Sequence, residues 1–353
     1  MDMSVQKFLK RREVADASRK LVRAYTTDGM MTYDQMTIDS TGAFLIGQLE
    51  RLDQTLNMPL VEYTWSRDVE MRTDVSPADE TASFTNSAFA VAGNMTPGGL
   101  NWISNEGNAL AGPSVDIGKT GQAMRLWGQE VKYTIPELVK AQALGMPVDA
   151  QKVEAMNMKR NMDLDQIIYI GDSNLSFTGL VNSAGVTPSN VPAGASTFTA
   201  WTKKTPDEIL TDVNEILTTT WQNSGWAVLP NRLLLPPAQY GYIASAKVSN
   251  AGNVSILTYV LENNIATKSG VKLEILPLKW LIGSGVGGTQ GVLGTVDRMI
   301  AYNKDKKYVQ YPMTELQRTP LEYRSLFQIT TYWARFGQLE VRYNTTFGYR
   351  DGI

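Results

Sequence analysis

The chemistry open to this 353-residue chain is limited by two absences: it has no histidine and no cysteine. Histidine is the commonest general base and the commonest metal ligand. Ser-His-Asp and Cys-His catalysis, histidine-bound metals, thiolate zinc sites and disulfides are therefore all excluded. Carboxylate, lysine, tyrosine or Ser-Lys chemistry remains. A pair of acids converging on a substrate is one such device, and Asp163 and Asp165 are the candidate pair. They fall in a helical stretch, where two positions are separated by about 200° around the axis, so they diverge. No catalytic residue is nominated.

The run GSGVGG places Gly283, Gly285 and Gly288 at the fixed positions of G-x-G-x-x-G. Dinucleotide binding needs that run to open a helix, with an acidic residue about 20 positions later. Two more glycines and then a strand pattern follow instead. The run reads as a flexible glycine-rich loop, and no cofactor or metal is expected. The net charge of −2 gives no global basic field. Basic residues do gather early, where Lys7, Lys10, Arg11, Arg12, Arg19, Lys20 and Arg23 outweigh Glu13 and Asp16. They read as a solvated helical face or as an arm lying against a polyanion. No stretch approaches the roughly 20 apolar residues of a membrane span, and the first twenty residues lack a secretory apolar core. Synthesis and assembly in a cytoplasm are expected.

The elements that would position these residues centre on Thr134 to Gly171. Thr134, Pro136 and Glu137 form a capping-box start. A short helix should stop near Gly145. A longer one should run from about Ala150 to Ile170, a rod of about 30 Å. Its pattern is two-sided. Ala150, Val153, Met156, Leu164, Ile167 and Ile168 share one face, and Ala155, Met158, Met162 and Tyr169 the other. A surface helix needs one apolar stripe, so two stripes call for packing on both sides. Arg160 falls in the first stripe and needs a partner if buried; Asp163 is the local candidate.

Upstream, Phe44, Leu45, Leu49, Leu52 and Leu56 recur at helical spacing. Val61, Tyr63, Trp65, Val69 and Met71 alternate with polar residues as in a half-buried strand. Residues 74–121 read as a long loop rich in Gly, Ser, Asn and Pro, too long for a compact monomer without function or a partner. A second strand, about Ala123 to Tyr133, returns to the helix. Downstream, Thr205, Pro206 and Glu208 start a helix with the apolar face Ile209, Leu210, Val213, Ile216, Leu217 and Trp221. Strands are expected at Trp226–Leu229, Arg232–Leu235, Val271–Leu276, Asp297–Tyr302 and Lys307–Met313. Helices are expected at about Ala238–Lys247 and Ser255–Glu262. Tyr323, Phe327, Ile329 and Trp333, then Leu339, Val341, Tyr343 and Phe347 after Gly337, read as two strands of a long hairpin.

After the long helix comes GDSNLSFTGLVN. This order resembles the major capsid proteins of tailed bacteriophages, the Hong Kong 97-type fold. In that family a spine helix ends in Gly-Asp or Gly-Asn, then a short loop, then a Gly-Leu-x-Asn turn. The matching positions are Gly171, Asp172, Gly179, Leu180 and Asn182.

The resemblance implies an α+β fold in four parts. These are an N-terminal arm (1–60), an extended loop of two strands with a long excursion (61–133), a peripheral domain (134–204 and 312–353) and an axial domain (205–311). The peripheral domain would hold the spine helix over the long β-hairpin. The resemblance also implies a major capsid protein that builds pentamers and hexamers into an icosahedral shell around double-stranded DNA, without catalysis. Its partners would be its own copies, the packaged DNA, and portal, scaffold or decoration proteins, with no membrane. It would reside in the virion capsid after assembly in the host cytoplasm. Phe84, Phe89, Trp102 and Ile103 of the excursion would pack on a neighbour. Gly283, Gly285 and Gly288 would lie near a capsomer pore, and Lys7, Lys10, Arg11 and Arg12 would face the genome. An encapsulin-like compartment for proteins shares the fold and is the alternative; a carboxylate- or Lys-dependent enzyme is a third reading.

The charge run gives a test. Reversing Lys10, Arg11 and Arg12 to glutamate is expected to lower genome packaging while empty shells still form, measured as protected DNA per particle. Unchanged packaging would discard the genome-facing arm.

Overall fold

The computed structural model describes residues 61–90, 114–144, 148–249 and 253–353, with backbone alone at 86–90, 114–116, 141–144 and 148–150. The expectations for residues 1–60, Trp102 and Ile103 lie outside these.

In chain order the first elements are α1 (Trp65–Asp68), β1 (Met71–Arg72), β2 (Thr81–Ala90), β3 (Ser114–Ala123), β4 (Arg125–Thr134), α2 (Ile135–Leu144) and α3 (Val148–Tyr169). There follow β5 (Gly171–Asp172), β6 (Phe177–Thr178), β7 (Ser189–Asn190), α4 (Pro206–Asn223), β8 (Arg232–Leu235), α5 (Pro237–Ser245), α6 (Ile256–Asn263) and α7 (Ile265–Lys268). The last are β9 (Glu274–Pro277), β10 (Arg298–Tyr302), β11 (Val309–Pro312), β12 (Gln317–Arg318), β13 (Glu322–Arg324), β14 (Phe327–Phe336), β15 (Glu340–Val341) and β16 (Gly348–Asp351).

The long helix α3 falls where its periodicity puts it. Thr134 and Glu137 form the expected reciprocal bonds at the start of α2. On the first face of α3, Met156, Leu164 and Ile168 are buried. Beneath lies the sheet of β4 and β14, paired antiparallel over ten positions from Phe327↔Thr134 to Phe336↔Arg125. Met156 packs with Val131 and Tyr133 of β4; Leu164 and Ile168 join a core with Leu180, Tyr311, Ala334 and Phe336. Among the described residues the opposite stripe is covered only at its end: Tyr169 is buried, but Met162 is 41% exposed, Ala155 is exposed and Met158 half-buried.

A second layer is the five-stranded sheet β7-β16-β10-β8-β9. Strands β8 and β10 are buried on both faces, which is why they read as unbroken apolar runs. Leu234 and Ile300 point into the core beneath α3. Leu233, Leu235, Met299 and Ala301 point into another, with Ile209, Val213, Ile216 and Leu217 of α4. The capping box of Thr205 and Glu208 starts α4 as expected.

Several expectations are corrected. The strand at Val61–Met71 is a one-turn helix followed by the two-residue β1. Asp165 Oδ1 accepts from the amides of Thr64 (2.8 Å) and Trp65 (3.2 Å), capping that turn from across the chain, and Asp68, on the supposed polar side, is buried. The loop at 74–121 contains β2 and β3, paired from Thr81↔Ala123 to Ala90↔Ser114. Its small and polar composition hid them, because a ribbon without a covered face has no reason to alternate. The excursion is thus flanked by β2 and β3, while β4 belongs to the sheet beneath α3. The segment Trp226–Leu229 forms no strand, since Gly225 and Trp226 are both left-handed (φ 68° and 64°).

The C-terminal hairpin also fails. Beyond Gly337 the chain leaves β14: β15 pairs with β11, and β16 joins β10 in the other sheet. Gly337 passes so close to Pro312 that a Cβ would sit 2.7 Å from its Cγ. The expected parity of β14 is reversed as well. Thr330, Ala334 and Phe336 are buried, whereas Tyr323 and Phe327 are exposed. Small residues at 330 and 334 lie opposite Val131 and Trp127, leaving room for those larger side chains under the helix.

Leu164 is wholly inaccessible. Leu164→Asp buries an unpaired charge and is expected to cost about 4 kcal/mol or more, leaving insoluble or unfolded protein by circular dichroism. Soluble, assembling mutant protein would contradict this placement.

Candidate functional site

The carboxylates of the helix pair diverge as their spacing requires. Asp163 is paired with Lys159 and accepts from Trp127 Nε1 at 3.0 Å, tying α3 to β4. Asp165 points elsewhere, accepting from Trp280 Nε1 at 2.6 Å besides capping α1. The other buried acids are similarly occupied. Asp68 accepts from Tyr169 at 2.6 Å and from both arms of the Arg67 fork at 2.8 and 2.7 Å. Burial, reinforced by the Asp68 charge, pushes the Tyr169 phenol far above its ordinary value, so it stays a donor. Tyr302 is shifted the same way and donates to the Asp68 carbonyl at 2.8 Å. Asp212, raised by burial, accepts from Lys204 (2.6 Å) and Trp201 (2.9 Å). Asp351 holds Arg298 in a fork of 2.7 and 2.9 Å, and the guanidinium lies 4.8 Å from the Tyr349 ring centre. Each acid joins separate pieces of chain. Among the described residues no cluster of three metal-capable side chains occurs, and no helix is long and apolar enough to cross a membrane.

The glycine motifs act sterically. Gly171 adopts φ 84°, and a Cβ there would stand 2.1 Å from the Phe177 carbonyl oxygen. At Gly179 it would stand 2.3 Å from that of Tyr169. The Gly179 amide donates to Asn182 Oδ1 at 2.7 Å, and Asp172 caps the amide of Asn174 at 2.9 Å. Backbone bonds then return the chain to the helix end, from Leu180 to Ile168 and from Val181 to Tyr169, both 2.9 Å. The Gly-Asp and Gly-Leu-x-Asn positions are thus a device for turning the chain back onto α3.

In GSGVGG, Gly283 (φ 63°) donates to Asp297 Oδ1 at 2.8 Å and lies against the Thr289 carbonyl. Gly285 donates to the Val296 carbonyl at 2.8 Å, and Gly288 sits against that of Gly283. The next regular element is β10, not a helix, so the dinucleotide requirement fails. The loop expected to be flexible is hydrogen-bonded in place, with Val286 and Leu293 on its surface.

What remains is surface. The β2–β3 ribbon is held at its base, where Arg72 donates to the Ser83 carbonyl (3.0 Å) and Met124 to that of Glu80 (2.8 Å). Phe84 is half-buried, its ring centre 5.8 Å from the Arg342 guanidinium. Phe89 lies farther along β2, opposite Val115. Ile117 on β3 is 67% exposed. Of the four residues expected to contact a neighbour, the structure thus places Phe84 and Phe89 on one strand. An open cleft of about 830 Å³ lies at the ribbon base, between Phe84, Tyr308, Arg342 and Tyr343. A second apolar surface was missed: every residue from Leu321 to Phe327 is exposed at the β13–β14 turn, including Leu321, Tyr323, Leu326 and Phe327. Their alternation looked like a core strand, and only the parity of β14 reveals otherwise.

A family model described as major capsid protein matches residues 98–353. Among solved structures, the capsid of Myoviridae phage XM1 is similar over 88% of this chain and 99% of its own, with 16% identity and a TM-score of 0.66. The capsid of a native GTA particle matches over 89% and 97%, with 10% identity and a TM-score of 0.56. A chain of Microbacterium phage Oxtober96 matches over 90% and 98%, with 8% identity and a TM-score of 0.53. No curated protein matches the chain. The fold is the α+β, Hong Kong 97-like capsid fold, and the encapsulin-like alternative is not favoured.

If the buried acids serve as ties, removing the most enclosed one costs most. Asp68→Ala is expected to destabilise the subunit by about 3 kcal/mol, against about 1 kcal/mol or less for Asp163→Ala, whose lysine partner is exposed. Urea unfolding of both variants measures the difference.

Proposed function

This chain belongs to the major capsid protein family, and from that membership we propose that its copies close into pentamers and hexamers of an icosahedral shell around a double-stranded DNA phage genome. It is a structural component of the virion capsid. In this reading the shell is assembled in the bacterial host cytoplasm, and the chain binds mainly itself. The basic arm with Lys7, Lys10, Arg11 and Arg12 faces the genome. The loop of Gly283, Gly285 and Gly288 lies toward a capsomer pore, and portal, scaffold or decoration proteins join the lattice.

The observation that carries the proposal is the β2–β3 ribbon. A two-stranded ribbon is at best marginal in water. This one runs ten residues per strand, leaves Ile117 exposed, and is anchored near its base. A neighbouring copy supplies the missing surface. Many such contacts, each modest, let misplaced subunits leave, while their sum holds the finished shell. Closed symmetry lets identical subunits cover their edges without growing filaments.

Glu80 and Met124 are already hydrogen-bonded to each other at 2.8 Å, so residues 81–123 can be replaced by two glycines with little disturbance. That variant is expected to stay folded by circular dichroism and to form no shells by negative-stain microscopy, under conditions where the unmodified chain forms DNA-protecting particles. Normal shells from the shortened chain would overturn the ribbon's role.

A further inference from the structure

The short strand β13 stands at a sheet edge. Among the described residues it pairs with β14 alone, from Glu322↔Ile329 to Arg324↔Phe327, and β4 takes the other side of β14. Ser325 and Leu326 join the two strands. Ser325 is left-handed (φ 55°), as the first central position of a two-residue hairpin turn requires. Such a turn closes with a bond from the Phe327 amide to the Arg324 carbonyl. Bonded and non-bonded pairs alternate along an antiparallel ladder. Tyr323↔Gln328 is therefore a non-bonded pair, and the amide and carbonyl of Tyr323 point away from β14. Every residue from Leu321 to Phe327 is exposed, Tyr323 by 67%. Glu322 and Arg324 lie on the strand face opposite to Tyr323, and among the described residues neither forms an ion pair.

We infer that β13 pairs with β13 of a second copy of this chain about a twofold axis through Tyr323, an inference that rests on the capsid reading. The residues of the edge select this occupant. In an antiparallel pair centred on Tyr323, that residue faces the partner's Tyr323 and exchanges two backbone bonds with it, using the amide and carbonyl that β14 leaves free. Glu322 then stands opposite the partner's Arg324, and Arg324 opposite the partner's Glu322. These are non-bonded pairs, with Cα atoms about 4.5 Å apart, where side chains across a ladder come closest. Opposite charges there stabilise pairing and like charges oppose it. Edge strands are often kept apart by shortness and charge. Two acids or two bases at 322 and 324 would have done that, but one of each makes the edge complementary to itself. On the other face the exposed Tyr323 and Leu321 gain apolar cover. A contact that uses one patch on both sides is isologous, whereas rings are built from head-to-tail contacts. The β13 edge therefore joins one capsomer to the next, outside the pentamer or hexamer.

Glu322→Arg and Arg324→Glu each set like charges against one another in both pairs. The side chains are exposed, so each variant is expected to keep the parent's circular dichroism and urea midpoint. The concentration needed for shell formation is expected to rise about ten-fold or more. The double variant Glu322→Arg, Arg324→Glu restores an opposite pair on each side of the axis and is expected to return to within about three-fold of the parent. A double variant as impaired as the singles would set these charges against an unlike surface and overturn the inference, as would normal assembly of either single variant. The chain has no cysteine, so a thiol introduced by Tyr323→Cys can join only position 323 of two copies. A bonded antiparallel pair holds its Cα atoms about 5.5 Å apart, within disulfide reach. Oxidised shells are expected to give chain dimers on a non-reducing gel. Shells that give monomers alone would overturn the inference and leave the capsid reading intact. Failure of the unmodified chain to form shells would overturn both.

Discussion

A helix of twenty-two residues with apolar side chains on two faces has to be covered twice, and the described residues of this chain cover it once. The face carrying Met156, Leu164 and Ile168 is closed by the β4–β14 sheet and the core around Tyr311 and Phe336. Among the described residues the other face is closed only where Tyr169 turns inward to Asp68. Much of the remaining structure serves that first closure. The small residues Thr330 and Ala334 set the parity of β14, α1 is drawn in by Asp165, and the Gly171–Asn182 turn brings the chain back against the helix end. The second stripe and the β2–β3 ribbon are the surfaces that the described residues leave open.

Features governed by neighbours in sequence were legible. The capping boxes at Thr134 and Thr205, the extent of α3, the apolar face of α4 and the Gly-Asp and Gly-Leu-x-Asn turn all depend on contacts a few residues apart. Features governed by distant partners were not. Val61–Met71 alternates like a strand, but an acid a hundred positions away winds it into a turn of helix. Tyr323 and Phe327 look like core residues, yet β4 pairs with β14 in the register that puts them outside. The ribbon gave no signal because alternation records a face that is already covered.

The candidate site followed the same division. Divergence of Asp163 and Asp165 could be argued from helix geometry alone, and their separate partners match it. The failure of GSGVGG as a nucleotide loop was readable from the missing helix. Its fixed conformation was not, because Asp297 is what anchors it. The Arg160 requirement was readable, but its proposed local solution was wrong, since Lys159 on the adjacent turn reaches Asp163 first.

These acids and bases show how a chain without histidine or cysteine uses its charge. Asp68, Asp212, Glu340 and Asp351 are buried, and each is matched by a cation from another part of the chain or from the adjoining residue. Pairs of this kind seldom add much net stability, because desolvation offsets attraction, but they penalise any wrong arrangement severely. That is a useful property in a subunit that must keep one shape against many neighbours. Its apolar surfaces are numerous enough to associate in several ways, at Ile117, Met162, Leu326 and Leu293. A rigid frame, locked by charges that tolerate a single geometry, restricts those surfaces to the few juxtapositions that a closed lattice repeats.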